Sequence, residues 1–353
     1  MNPWSIWIWP WATAMDMHRR AMESLGEVDE TVARDEPEWT TPSRVVVDLA
    51  ALRLRDFSLT QEGRHPTLVV APFALHDAAL ADLAPGHSLV ETLLANGCSR
   101  LFLAEWKSAT METRLHTIDT QLAALNVAVD DTGSPVDLIG LCQGGWLSLV
   151  YAARFPRKVR RLVLAGAPVD ITAAPSVLST AANPITGVMI DELIRLGDGL
   201  VRGRHMANLW PRELDETSRV MESLQLAGPP ATDAERRAEA IFTRWDRRTL
   251  DLPAPYYRQV IDWFYRENRL AVGTFPALGR QINLRNLHCP LFLLAGARDL
   301  IAPPAQVFAA ASLVAASESD IETAQADCGH LALFMGQRTL IEEWPRIARW
   351  LAR

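Results

Sequence analysis

The chain has 353 residues, 49% of them hydrophobic and 22% charged, which supplies enough apolar material for a core and argues against general disorder. Its 35 Lys and Arg against 42 Asp and Glu give a net charge of −7 with no basic run to offset it, so no nucleic-acid partner is expected. Four scattered cysteines (Cys98, Cys142, Cys289 and Cys328) form neither a disulfide framework nor a paired zinc spacing, so we expect no metal and a reduced, cytoplasmic protein.

The first fifteen residues, MNPWSIWIWPWATAM, carry four of the twelve tryptophans. No basic residues precede this apolar stretch and Pro10 interrupts it, so it reads as neither a signal peptide nor a transmembrane helix. Two readings stand: an arm packed on its own domain or on a subunit, or a segment lying at an apolar–polar boundary where indole rings settle.

Beyond it, residues 44–64 show short strand-like alternation, and HPTLVVAPF (65–73) is a further strand. A helix follows over HSLVETLLANG with Gly97 as its stop, then the strand RLFLAEW and a helical stretch from Thr113 to Asp130. The run VDLIGLCQGGW leads into a helix, and KVRRLVLAGAPV is the next strand. From about 176 to 284 the alternation stops, and the sequence is helical and punctuated by prolines. It then resumes as strand, helix, strand, helix to the end. Strand–helix alternation predicts an α/β fold with a mostly parallel central sheet and helices on both faces. The expected division is an N-terminal Trp-rich arm over 1–43, a first core part over 44–175, an inserted helical cap over 176–284 and a second core part over 285–353.

Gly140-Leu141-Cys142-Gln143-Gly144-Gly145 lies between a predicted strand and a predicted helix, the context of a nucleophile elbow, with Cys in the position of Ser. Glycines suit a strained turn where helix and strand approach closely, and the helix N-terminus favours a thiolate and an oxyanion. Taken alone, the segment is equally what a buried structural cysteine beside a glycine turn looks like. Asp299 and His330 each follow a predicted strand, and the chain order of nucleophile, acid and histidine is that of α/β-hydrolase enzymes. Such sheets place their sites at the C-terminal ends of the strands. The expected roles are Cys142 as nucleophile, His330 as base and Asp299 as its orienting acid. The backbone N–H of Gln143 and one from the loop at Ala74 are expected to form the oxyanion hole.

A thiol says something about the chemistry. Exchange of one thioester for another is nearly isoenergetic, so an acyl-cysteine keeps the free energy needed to acylate a hydroxyl. That favours acyl transfer over hydrolysis, provided the pocket is dry.

These residues resemble the polyhydroxyalkanoate synthases, in particular the short catalytic subunit of the two-component class, from about Pro66 to Arg353. GLCQGG is similar to that family's G-x-C-x-G-G box. WDRRTLDLPAPYYRQVIDWFYRENRL resembles its cap segment through Trp245, Thr249, Pro253, Tyr265, Asn268 and Leu270, and GARD and CGHLALF carry the acid and the histidine. The resemblance implies an acyltransferase that moves (R)-3-hydroxyacyl groups from CoA through Cys142 to a polyester chain end. Trp245, Tyr265 and Asn268 would then lie at the substrate pocket, and CoA would enter as substrate with no further cofactor. It also implies a partner subunit or a homo-oligomer and association with a granule surface. The sequence departs from the family at Asp246, where Asn is usual, at Arg247 and Arg248, at Ala332, and at His76-Asp77, where Asn followed by a basic residue is commoner. The alternatives are a cysteine-nucleophile polyester depolymerase or thioesterase, and a non-catalytic granule-associated protein.

Overall fold

The computed structural model describes residues 36–60, 65–182, 185–209 and 215–353. The tryptophan-rich start and Trp210 lie outside the described residues.

Eight strands form one sheet: β1 (Arg44–Asp48), β2 (Leu52–Asp56), β3 (Thr67–Val70), β4 (Leu101–Trp106), β5 (Val136–Leu141), β6 (Val159–Ala165), β7 (Leu291–Gly296) and β8 (Ile321–Ala326). Their spatial order is β1-β2-β4-β3-β5-β6-β7-β8. The β1–β2 hairpin is antiparallel, β2 runs antiparallel to β4, and from β4 to β8 all pairings are parallel. Strands β3, β5 and β7 are buried along their whole length, as parallel strands covered on both faces must be. The edge strand β1 leaves Val45 and Val46 exposed.

Helices α1 (Leu89–Ala95), α2 (Ile118–Thr132) and α3 (Gln143–Arg154) join these strands. The Ser88 hydroxyl caps α1 by accepting from Glu91 N at 2.9 Å. The sequence pattern starts α2 at Thr113, but the helix begins five residues later. Thr113 closes a turn with Thr110, and Thr117 and Thr120 form a reciprocal capping box that fixes the first helical residue at Ile118. Gly133, left-handed at φ +90°, ends it.

Between β6 and β7 the chain forms α4 (Val177–Ala182), α5 (Gly187–Leu196), α6 (Gly203–Leu209), α7 (Glu216–Leu224), α8 (Asp233–Arg247), α9 (Ala254–Gln259), a π-helical turn over Val260–Arg266 and α10 (Arg269–Val272). After β7 come α11 (Pro304–Phe308) and α12 (Ala310–Leu313), and after β8 come α13 (Ala332–Met335), α14 (Gln337–Glu342) and α15 (Trp344–Leu351). One face of the sheet packs α2, α3 and the π-helical turn; the other packs α1 and the C-terminal helices through Phe334, Trp344 and Ile347. No helix among the described residues is long and apolar enough to cross a membrane.

Trp146, fully buried on α3, stacks on Phe264 at 5.2 Å and meets Phe275 at 5.9 Å, so the helix behind Cys142 and the inserted helices share one core. Removing that indole leaves a cavity at this junction. Trp146→Ala is expected to lower the unfolding free energy by about 3–5 kcal/mol, measured by urea denaturation.

Candidate active site

Cys142 sits between the last residue of β5 and the first of α3, at φ +50°, ψ −119°. Its N–H donates to Ala165 O and its carbonyl accepts from Gly145 N, both at 2.9 Å, which pins a conformation that a residue with a Cβ rarely adopts. The neighbouring glycines are sterically required. A Cβ on Gly140 would overlap Gly145 Cα, one on Gly144 would lie 2.6 Å from Ala71 O, and one on Gly145 would overlap the Ala167 methyl.

Asp299 follows β7 and is completely enclosed. Its Oδ1 accepts from Ile301 N and Ala302 N, each at 2.8 Å, and its Oδ2 accepts from His330 Nδ1 at 2.7 Å. That contact places the imidazole proton on Nδ1 and leaves Nε2 for Cys142, whose side chain is within hydrogen-bonding reach of the same ring. Burial alone would lower the His330 pKa. The Asp299 carboxylate, with the Cys142 sulfur beside the ring, outweighs it and holds the imidazole well above its ordinary value. The structure thus brings Cys142, His330 and Asp299 together.

Cys142 and His330 open onto a cavity of about 810 Å³, whose wall includes Ala74, Gln143 and Trp245. Gln143 is the first residue of α3, so its N–H has no acceptor within the helix, and the loop after β3 brings Ala74 to the same cavity. Of the residues expected at the substrate pocket, Trp245 lines the cavity and Tyr265 and Asn268 do not. Asn268 is a tie between segments. In a left-handed conformation, its Nδ2 donates to Asp170 at 2.8 Å and its Oδ1 accepts from Ile171 N, joining the end of the π-helical turn to the loop after β6. Tyr265 is buried, and its hydroxyl has no hydrogen-bond partner among the described residues. Burial holds its phenol well above 10, so it stays protonated. Trp263 packs edge-on against Phe275, away from the cavity wall. Cys328 is a buried thiol against Thr339, its pKa pushed up to about 11 by burial. Among the described residues no cluster of three or more His, Cys, Asp or Glu could hold a metal ion.

Two features are not assigned a role from the sequence. Tyr256, on α9, is buried against Phe73 with ring centroids 5.0 Å apart; its hydroxyl lies 3.2 Å from Phe73 O and 3.3 Å from the Gln143 amide. One hydroxyl proton cannot serve two carbonyl acceptors. The contact is satisfied when the Gln143 amide is turned so that its nitrogen donates to the Tyr256 oxygen. One inserted tyrosine then fixes both the loop of Ala74 and the residue after Cys142. The second feature is a polar network that reaches the cavity wall through His76, Arg219 and Asp246: His76 lies 3.5 Å from Asp246, Arg219 forks onto Asp246, and behind them Arg248 Nε donates to Asp77 at 2.9 Å.

A family model described as "Protein of unknown function (DUF3141)" matches residues 12–351. The poly(3-hydroxyalkanoate) polymerase subunit PhaC of Haloferax mediterranei is 26% identical, over 97% of this chain and 72% of that protein. The protein of the same name from Synechocystis is 27% identical, over 88% of this chain and 84% of that protein. These relatives bear the name of the synthases that the motifs resemble. Among solved structures, a putative lipase from Acinetobacter baumannii superposes with a TM-score of 0.52 at 11% identity, covering 95% of this chain and 96% of that one. The esterase RhEst1 from Rhodococcus gives 0.52 at 14%, covering 88% and 98%. These likenesses show the α/β-hydrolase fold.

The His330 pair makes stability depend on pH. With the folded-state pKa raised, the stabilisation is fully present below the unfolded value of about 6.5 and is lost as pH rises through the raised value. Asp299→Asn keeps an oxygen for Ile301 N and Ala302 N and removes the charge. The excess stability of the wild type over this variant is therefore expected to be largest near pH 6 and to shrink as the solution is made alkaline. Unfolding free energies measured across that range check this, and a difference independent of pH would contradict it.

Proposed function

The chain belongs to the family Protein of unknown function (DUF3141), and we propose that it is an acyltransferase that carries (R)-3-hydroxyacyl groups from CoA on Cys142 and passes them to a hydroxyl at a polyester chain end. The observation that carries this reading is a thiol, where a hydroxyl would serve hydrolysis, at a strained elbow beside His330 and Asp299. The relatives named as poly(3-hydroxyalkanoate) polymerase subunits support it.

In this reading His330 Nε2 takes the thiol proton, and the sulfur attacks the thioester carbonyl. The developing oxyanion is met by the N–H groups of Gln143 and Ala74, and the C–S bond to CoA breaks as His330 returns the proton to the leaving sulfur. The acceptor hydroxyl then gives its proton to His330 as its oxygen attacks the acyl-cysteine. An ester forms, and Cys142 leaves as a thiolate that recovers the proton. Asp299 holds the ring in the tautomer that both half-reactions use. No cofactor is needed beyond the CoA that arrives on the substrate. A second subunit or a second copy of the chain, and a granule surface, are the proposed associations.

The test is incubation with 3-hydroxybutyryl-CoA, with and without a candidate second subunit. The expected result is CoA release, an acyl group located on Cys142 by mass spectrometry, and polymer. Cys142→Ala should give no acyl-enzyme, Cys142→Ser should lose chain growth, and Asp299→Asn should lower kcat/KM by about 10³-fold. Free 3-hydroxybutyrate as the only product would replace transfer by hydrolysis. Absence of any acyl-cysteine would remove the reading altogether.

A further inference from the structure

Four of the positions at which the sequence departs from the synthase pattern, His76, Asp77, Asp246 and Arg248, come from two segments about 170 residues apart and meet at one place, where His76 and Asp246 line the cavity. His76 Nδ1 lies 3.0 Å from the Arg248 carbonyl oxygen, which can only accept, so Nδ1 carries the ring proton. Nε2 is then a bare lone pair, and it faces Asp246 Oδ1 at 3.5 Å, another acceptor. The ring is fixed from behind by Trp245, with centroids 4.5 Å apart, so it cannot turn this lone pair away without losing both contacts. Burial lowers the His76 pKa against the opposing pull of Asp246, in keeping with a neutral ring.

The charges around it balance. Asp246 is held by the fork of Arg219, and Asp77 by Arg248 Nε and Ala79 N. Two carboxylates and two guanidiniums leave no net charge to draw in a cation. What is left without a donor among the described residues is the Nε2 lone pair of His76, beside an Asp246 oxygen that already accepts from Arg219 and has a second lone pair to offer, and both residues line the cavity onto which Cys142 opens. A neutral donor on an otherwise apolar ligand fits it, which is the chemistry of an alcohol.

We propose that His76 Nε2 and Asp246 form a hydroxyl subsite, accepting a hydrogen bond from the 3-hydroxyl of an acyl group in the cavity and so selecting hydroxylated over plain acyl thioesters. This rests on the reading of the chain as an enzyme of CoA thioesters. The subsite acts through binding, so it can be measured apart from turnover.

The test uses the full chain carrying Cys142→Ala, titrated calorimetrically with 3-hydroxybutyryl-CoA and with butyryl-CoA. The expected preference for the hydroxylated thioester is on the order of tenfold, the scale of one well-placed hydrogen bond. His76→Phe keeps a ring against Trp245 and removes the lone pair, so the preference should fall towards one. Asp246→Asn should do the same by another route, since its amide N–H can turn to Nε2 and occupy it. Thermal unfolding checks that each variant is folded, and the second stands in if the first is not. Equal affinity for the two thioesters before either substitution, or a preference that survives both, overturns the subsite and leaves the acyl-CoA reading intact. If neither thioester binds, the acyl-CoA reading falls and takes the subsite with it.

Discussion

The backbone of Cys142 sets the terms for everything around it. A residue with a Cβ at φ +50° costs on the order of 1–3 kcal/mol, and it persists only where its surroundings leave no alternative. Here the constraint comes from both sides of the turn. The Cys142 N–H is spent on Ala165 of β6, and α3 starts so close to β3 and β6 that Gly144 lies against the carbonyls of Val70 and Ala71 and Gly145 against Ala167. The side chain is therefore presented at the tip of the sheet, beside the N-terminus of α3. Trp146, one residue beyond the last glycine, carries that constraint into the inserted helices through Phe264 and Phe275.

The other two members of the site depend on parallel register. Strands β7 and β8 pair Gly296 with Ala326 at their C-terminal ends, so the loops after them begin at the same level. Ala297 N then donates to Ala326 O and Arg298 N to Cys328 O, which knits the two loops together before either reaches its functional residue. Gly296 permits this, because a Cβ there would lie 2.6 Å from Cys328 O. The 2.7 Å contact between Asp299 and His330 is thus a consequence of backbone pairing, and the side chains add only the final orientation.

This explains what could be read in the sequence and what could not. The strands β5 and β7 were legible because buried parallel strands leave apolar runs such as VDLIGL and LFLLAG, and Cys142 and Asp299 were legible because each follows such a run, whereas His330 follows the more polar strand IETAQA and was legible from its place in the chain order after the other two. The pocket was less so. Tyr265 and Asn268 stand out in the cap motif, yet the first points its hydroxyl into the interior and the second ties a loop through Asp170. Tyr256 sits among other aromatic residues, and its partners, Phe73 and Gln143, are 183 and 113 positions away. No local period encodes a contact at that distance. The network of His76, Asp77, Asp246 and Arg248 showed in the sequence only as departures from a pattern, since its meaning lies in contacts across about 170 residues.

In the reaction we propose, the choice between transfer and hydrolysis turns on which hydroxyl reaches the acyl-cysteine first. Cys142 and His330 are nearly enclosed, and the inserted helices are not a loose cover: Tyr256, Phe264 and Phe275 belong to the same core cluster as the helix that follows Cys142. Water entering such a site gives up hydrogen bonds that an apolar wall does not replace. An alcohol carried on an acyl chain gives up less, because the chain gains from burial while its hydroxyl would find an acceptor in the proposed subsite at His76 and Asp246. A cysteine acyl-enzyme keeps enough free energy to form an ester with that alcohol. The same wall that shields the thioester can therefore supply the discrimination in favour of transfer, with the polar network acting where the apolar surface is silent.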